Sequence, residues 1–301
     1  MKSNMIGTLT TVFGDHIKRV VKTSRISGVV NESNVYQEGN PDALEIVDEM
    51  VEHLLLPKSG IDGLENLEEL FEKAKSGKSC LLLVEHYSNM DLPLVSYLTR
   101  KARNQGKENG DSIIAISGMK LNEDNPVVAA FSGAFSRIVI CPSRSLQELD
   151  PKKDEEEILR CNAINRAAMK ALIRNKYKGK IVLVFPSGTR YRPWDPTSKK
   201  GVRDIDSYIR SFDYMCFTAI NGEVLHVQQT DMMNDAVSKD IVRITVSPVV
   251  SCQQFRDNIH AALPDEETDK KQAVADGIME VLEKMHIEAE PKRLKLLDGN
   301  D

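Results

Sequence analysis

The chain is poor in aromatic residues, which make up only 5% of its 301 residues. They do not interleave with the basic residues as base-stacking platforms do, so nucleic acid is not an expected partner. Its five cysteines include no Cys-x-x-Cys pair. The expectation is therefore reduced thiols in a cytoplasm, with no metal site. Cys80, Cys141 and Cys216 lie in apolar runs and are expected in the core. Long hydrophobic runs are missing as well. Stretches such as residues 80–84 and 181–185 fall far below the roughly 20 residues that span a bilayer, and Met1 to Arg25 lacks the apolar centre of a signal peptide. The expected place is the cytoplasm, with at most peripheral contact on the inner face of a membrane.

What is present is the composition of a globular protein, 41% hydrophobic and 28% charged. A chain of this length can bury a sizeable core. The net charge of -5 conceals an asymmetry. Between Arg137 and Arg210, 17 Lys and Arg stand against 9 Asp and Glu, while the remainder carries 23 against 36. A basic middle suits an anionic ligand.

Residues 6–25 place Ile6, Leu9, Phe13, Ile17, Val20 and Val21 at helical spacing, with Lys18, Arg19 and Lys22 opposite. This amphipathic helix is expected to pack in a helical bundle, the alternative being an anionic membrane surface. Ser27 to Gly39 reads as a loop. A helix capped by Asn40-Pro41 and ended by Pro57 follows, then another over 64–75. Ser76-Gly-Lys78 marks a boundary, so residues 1–76 are expected as a small all-helical domain. From Cys80 onward strands at 80–85, 112–117, 136–141 and 181–185 alternate with helices at 89–103, 124–131 and 154–177. Further strands are expected at 215–220 and 241–250, and an acidic C-terminal helix at 265–285. Alternation of this kind predicts an α/β fold over residues 77–301, a mixed central sheet flanked by helices.

The informative stretch is Cys80-Leu-Leu-Leu-Val-Glu-His86-Tyr-Ser-Asn-Met-Asp91-Leu-Pro93. Five apolar residues suit a strand buried on both faces, and Ser88 or Asn89 can cap a following helix. His86 then sits at a carboxyl strand end, the edge where open α/β sheets bind ligands. Imidazoles change charge near neutral pH, and a carboxylate on one ring nitrogen leaves the other free as a base. A second strand, Ile181 to Phe185, breaks into Pro186-Ser187-Gly188-Thr189-Arg190-Tyr-Arg192-Pro193. Two arginines two residues apart in such a turn can point to one side and suit the oxygens of a phosphate.

Together the two stretches resemble the glycerolipid acyltransferase superfamily, whose first motif is His-x-x-x-x-Asp and whose third is Phe-Pro-x-Gly-Thr-Arg. Phe131-Ser-Gly133-Ala-Phe135-Ser-Arg137-Ile-Val-Ile-Cys141-Pro-Ser-Arg144 resembles the second motif more loosely. Ser187 in place of glutamate and the continuation into Arg190-Tyr-Arg192-Pro193 are similar to the soluble, plastid-type glycerol-3-phosphate acyltransferases. The chain departs from them at Pro142-Ser-Arg144-Ser145, where they carry a Lys-Lys-His run.

The resemblance implies His86 as general base, Asp91 as its orienter, and Arg144, Arg190 and Arg192 as phosphate ligands. Gly133, Pro186, Ser187, Gly188 and Thr189 support the motifs, and Arg137 is structural. It implies residues 77–301 as the catalytic part and acyl transfer to the 1-hydroxyl of glycerol 3-phosphate. The donor is acyl carrier protein or a coenzyme A thioester, with no cofactor, and backbone amides after His86 hold the oxyanion. The alternatives are a lysophosphatidic acid acyltransferase and a non-catalytic protein that binds phospholipid or an anionic metabolite.

Overall fold

The computed structural model describes residues 5–24, 29–123, 125–230, 232–264 and 269–299. β1 (Met5–Thr8) leads into α1 (Leu9–Thr23), whose first turn is closed by a capping box between Thr8 and Thr11. β2 (Tyr36–Gln37), α2 (Pro41–Leu54), β3 (Gly60–Asp62) and α3 (Leu64–Lys75) follow. Asn40 caps α2, and Pro41 occupies its first position, where a helix has no use for an N–H. Then come β4 (Cys80–Val84), α4 (Asp91–Lys101), α5 (Gly106–Asp111), β5 (Ile113–Gly118), α6 (Lys120–Glu123), α7 (Pro126–Ser132), β6 (Arg137–Ile140), α8 (Ser143–Gln147), α9 (Glu155–Asn175) and β7 (Ile181–Val184). The last part holds α10 (Ile205–Ser211), β8 (Tyr214–Asn221), β9 (Leu225–His226), β10 (Ala236–Ser238), β11 (Arg243–Val246), β12 (Val250–Ser251), α11 (Cys252–Ala262) and α12 (Lys270–Leu297).

The main sheet runs β2-β6-β5-β7-β4-β8-β11-β3, with β12 beside β8. Strands β6, β5, β7, β4 and β8 are mutually parallel, whereas β2, β11 and β12 each run antiparallel to their neighbour in that set. The α/β fold with a mixed sheet is therefore as expected. β4 lies between β7 and β8, which explains its unbroken apolar sequence. Cys80, Leu82 and Val84 enter one apolar cluster, shared with α1 to α4, while Leu81 and Leu83 enter a second one, shared with α9, α10 and α12. Truncating one such leucine to alanine should cost about 2–5 kcal/mol.

The helices before residue 76 pack onto the first face of this sheet, and Phe13, Ile17 and Val20 of α1 are buried there. That takes up most of the apolar face of α1, with Val21 left exposed. The expectation that residues 1–76 are all-helical is corrected: the short strands β1, β2 and β3 interleave with these helices, because distant partners offer them free edges; β2 pairs with β6, β3 pairs with β11, and β1 joins β10 and β9 in a small second sheet. The expected strand at 241–250 is divided into β11 and β12, with Pro248 between them lacking an amide for the ladder. The C-terminal helix extends twelve residues beyond the expected end at 285, through Pro291, and α11 precedes it. Residues 25–28, from the end of the expected first helix into the start of the expected loop, and 265–268, at the expected start of the last helix, lie outside the described residues.

The expectation of five reduced thiols is corrected: Cys141 and Cys161 form a disulfide that ties the end of β6 to α9, while Cys80, Cys216 and Cys252 are free and buried. Among the described residues no helix is long and apolar enough to cross a membrane.

Candidate active site

β4 ends at Val84, and the chain turns sharply before α4 begins at Asp91. That turn is organised by the Asp91 carboxylate, which is almost wholly buried. Its Oδ2 accepts from the amides of Tyr87 at 2.6 Å and Ser88 at 2.9 Å and lies 2.9 Å from His86 Nδ1; Oδ1 accepts from the Ser88 hydroxyl at 3.1 Å. With Nδ1–H donating to the carboxylate, the lone pair rests on His86 Nε2. The dyad is set by the first turn of a helix and the end of a fully buried strand.

Two local expectations change. Neither Ser88 nor Asn89 caps α4; Met90 stands at that position without a side-chain cap, and Ser88 Oγ accepts from the Met90 amide instead. The amides of Tyr87, Ser88, Met90 and Asp91 are all spent inside the turn. Those four are thus not donors for an oxyanion.

The third motif closes over the dyad from the neighbouring strand β7. Phe185, just past its end, stacks on the His86 ring with centroids 3.9 Å apart and planes 15° from parallel. Gly188, at φ +64, completes a turn in which its amide donates to the Phe185 carbonyl, and Ser187 Oγ donates to the Thr189 carbonyl. Pro186 and Ser187 are buried there. The turn then crosses back, and the Tyr191 amide donates to the His86 carbonyl at 2.8 Å. Arg190 and Arg192 flank that bond directly.

Residues 60–251, more than half of the chain, match the family model described as Acyltransferase. The chain belongs to the acyltransferase family. No curated protein matches it.

In this acyltransferase the three arginines differ in setting. Arg190 Nη1 is 3.2 Å from Oδ2 of Asp235, whose Oδ1 accepts from the Gln228 amide. Asp235 is fully buried, so Arg190 is anchored on the loop between β9 and β10. Arg192 is half-buried, its amide held by Ser198 Oγ, and among the described residues no carboxylate pairs with its side chain. Arg144 is exposed on α8. Among the described residues no side-chain bond joins it to the dyad; its neighbour Ser143 donates to Asp204, directly before α10. Gly133 ends α7, where a Cβ would stand 3.1 Å from the carbonyls of Ala129 and Ala130. Arg137 is buried at the start of β6, and burial pulls its guanidinium down to about 10.

The acyltransferase's dyad also has a buried backing that motif reading missed. Glu85, whose side chain faces away from His86, is only 4% exposed. Its Oε2 accepts from the Ile220 amide at 2.8 Å and lies 3.0 Å from His286 Nδ1, and its Oε1 accepts from the Tyr87 hydroxyl at 3.2 Å. Burial pushes the Glu85 carboxyl above its ordinary range, with His286 opposing. For His286, burial pulls downward, but the hydrogen bond and charge of Glu85, with Glu290, outweigh it and the net shift is upward. Lys199 bridges the same region, 2.8 Å from Glu283 of α12 and over the rings of Tyr191 and Tyr87. A glutamate closing an otherwise apolar strand was the one visible sign of this network. Nothing local to residue 286 or 235 marks either side chain.

Proposed function

We propose that the chain is a glycerol-3-phosphate 1-O-acyltransferase, moving a fatty acyl group from acyl carrier protein or coenzyme A to the acceptor's sn-1 hydroxyl and releasing lysophosphatidic acid and the free thiol. This would be the first step of phospholipid synthesis. The observation that carries the reading is the Tyr191 to His86 hydrogen bond, which puts an arginine on each side of the residue fastened to the base. A small phosphorylated alcohol gripped by Arg190 and Arg192 would have its hydroxyl within reach of His86 Nε2. Arg144 is the third proposed phosphate ligand.

In this scheme the hydroxyl oxygen attacks the thioester carbonyl as His86 Nε2 removes its proton. Asp91 holds the ring and stabilises the imidazolium that forms. Collapse of the tetrahedral species breaks the carbon–sulfur bond, and the imidazolium returns its proton to the departing thiolate. The reaction so written consumes only acceptor and thioester, and no acyl-enzyme forms. Phe185, stacked on the imidazole, keeps water from one face of the base.

The test is the acceptor KM. Arg190→Ala and Arg192→Ala each remove a charge-assisted contact and should weaken the acceptor by about 1.5–3 kcal/mol, roughly tenfold to a hundredfold in KM. An unchanged KM for glycerol 3-phosphate in both variants refutes the phosphate assignment.

A further inference from the structure

α9 is amphipathic in an unusual way. Its inward face, Cys161, Ile164, Ala168, Ala171, Leu172 and Asn175, is buried against the sheet. Its outward face carries Leu159, Met169 and Ile173, which are 61%, 46% and 52% exposed, and Tyr177 just beyond the helix is 54% exposed. Arg166, Lys170 and Arg174 share that face and are exposed. At 3.6 residues per turn the six helical side chains fall within an arc of about 140° and, with Tyr177, form a ridge about 27 Å long. From residue 158 to residue 180 there is no Asp or Glu, and among the described residues none of the three cations has an ion-pair partner.

We propose that this ridge is a docking surface for an anionic phospholipid bilayer. Its charge is complementary to phosphate headgroups, and its flexible apolar side chains are suited to entering the boundary between headgroup and acyl chain while the cations snorkel to the surface. The shape also favours lipid. The depression beside α9, bounded by Glu32, Ser33 and Tyr36 opposite Arg166, Lys170 and Arg174, has a volume of about 320 Å³. That is the size of a small-molecule site rather than of a helix. α1, the basic helix with the other claim to a membrane, has Phe13, Ile17 and Val20 buried by the fold and only Val21 of its apolar residues exposed. The proposal holds whichever acceptor the active site takes.

The experiment is co-sedimentation of the full chain with vesicles of phosphatidylcholine alone or mixed with phosphatidylglycerol. Wild type should pellet with the anionic vesicles only, less at high salt. Met169→Ser/Ile173→Ser and Arg166→Glu/Lys170→Glu should each weaken partitioning by at least about tenfold, with unchanged circular dichroism because all four side chains are exposed. Lys18→Glu/Lys22→Glu on α1 should leave it unaltered. Absence of binding to phosphatidylglycerol vesicles, or equal binding by wild type and both α9 variants, overturns the proposal. Purified acyl carrier protein binding that Arg166→Glu/Lys170→Glu abolishes, without vesicle binding, would give the face to a protein and overturn it too.

Discussion

The amide of Tyr191 donates to the carbonyl of His86 across 2.8 Å, joining the turn after β7 to the end of β4. Two loops more than a hundred residues apart thereby become one site, and Phe185 stacked on the imidazole seals the joint. Because both strands are buried and adjacent in the sheet, the geometry is held by the core rather than by the loops themselves.

Asp91 separates structural from chemical roles. Asp91→Ala strands the amides of Tyr87 and Ser88, each costing about 1–3 kcal/mol when left buried without a partner. Asp91→Asn can still accept from them through its carbonyl oxygen but cannot stabilise an imidazolium. Chemical denaturation should show Asn recovering most of the stability lost in Ala, while kcat stays low in both, by on the order of 10².

Glu85 and His286 make stability depend on pH. Both groups are shifted upward in the folded chain, so the folded state holds protons more tightly than the unfolded one. Their contribution is complete below the ordinary values of the two groups and is lost as pH rises through the folded values. Melting temperature should begin to fall as pH rises past the ordinary glutamate value of about 4.3 and continue to fall past the ordinary histidine value of about 6.5. Glu85→Gln keeps an acceptor for the Ile220 amide but removes the charge, and should flatten that slope. An equally steep slope in Glu85→Gln contradicts the assignment.

The disulfide closes a loop of 20 residues, worth about 3 kcal/mol by chain entropy. Alkylation under denaturing conditions should therefore label three thiols before reduction and five after it. Cys161→Ser should lower stability by that order. Five reactive thiols without reduction would contradict the bond.

The alternation of strands and helices was legible because β4 and β7 are buried on both faces and α9 has a clear apolar side. The short strands β1, β2 and β3 were not, since two to four residues pair only because distant partners present a free edge. α11 buries only Cys252 and offered no periodic stripe. At the site, the His86 and Asp91 spacing was readable because one turn brings both together. Asp235, His286 and the Cys141–Cys161 pair act across 20 to 201 residues, and a linear pattern carries no sign of contacts closed by the fold.

The most direct measurement is acyl transfer by purified wild type and His86→Ala, from acyl carrier protein and coenzyme A thioesters, to glycerol 3-phosphate and separately to lysophosphatidic acid. Transfer to glycerol 3-phosphate by wild type, reduced about 10²- to 10⁴-fold in His86→Ala, is the expected result. Transfer to lysophosphatidic acid alone would leave the base standing but contradict the proposed acceptor, and undiminished transfer by His86→Ala would contradict the mechanism.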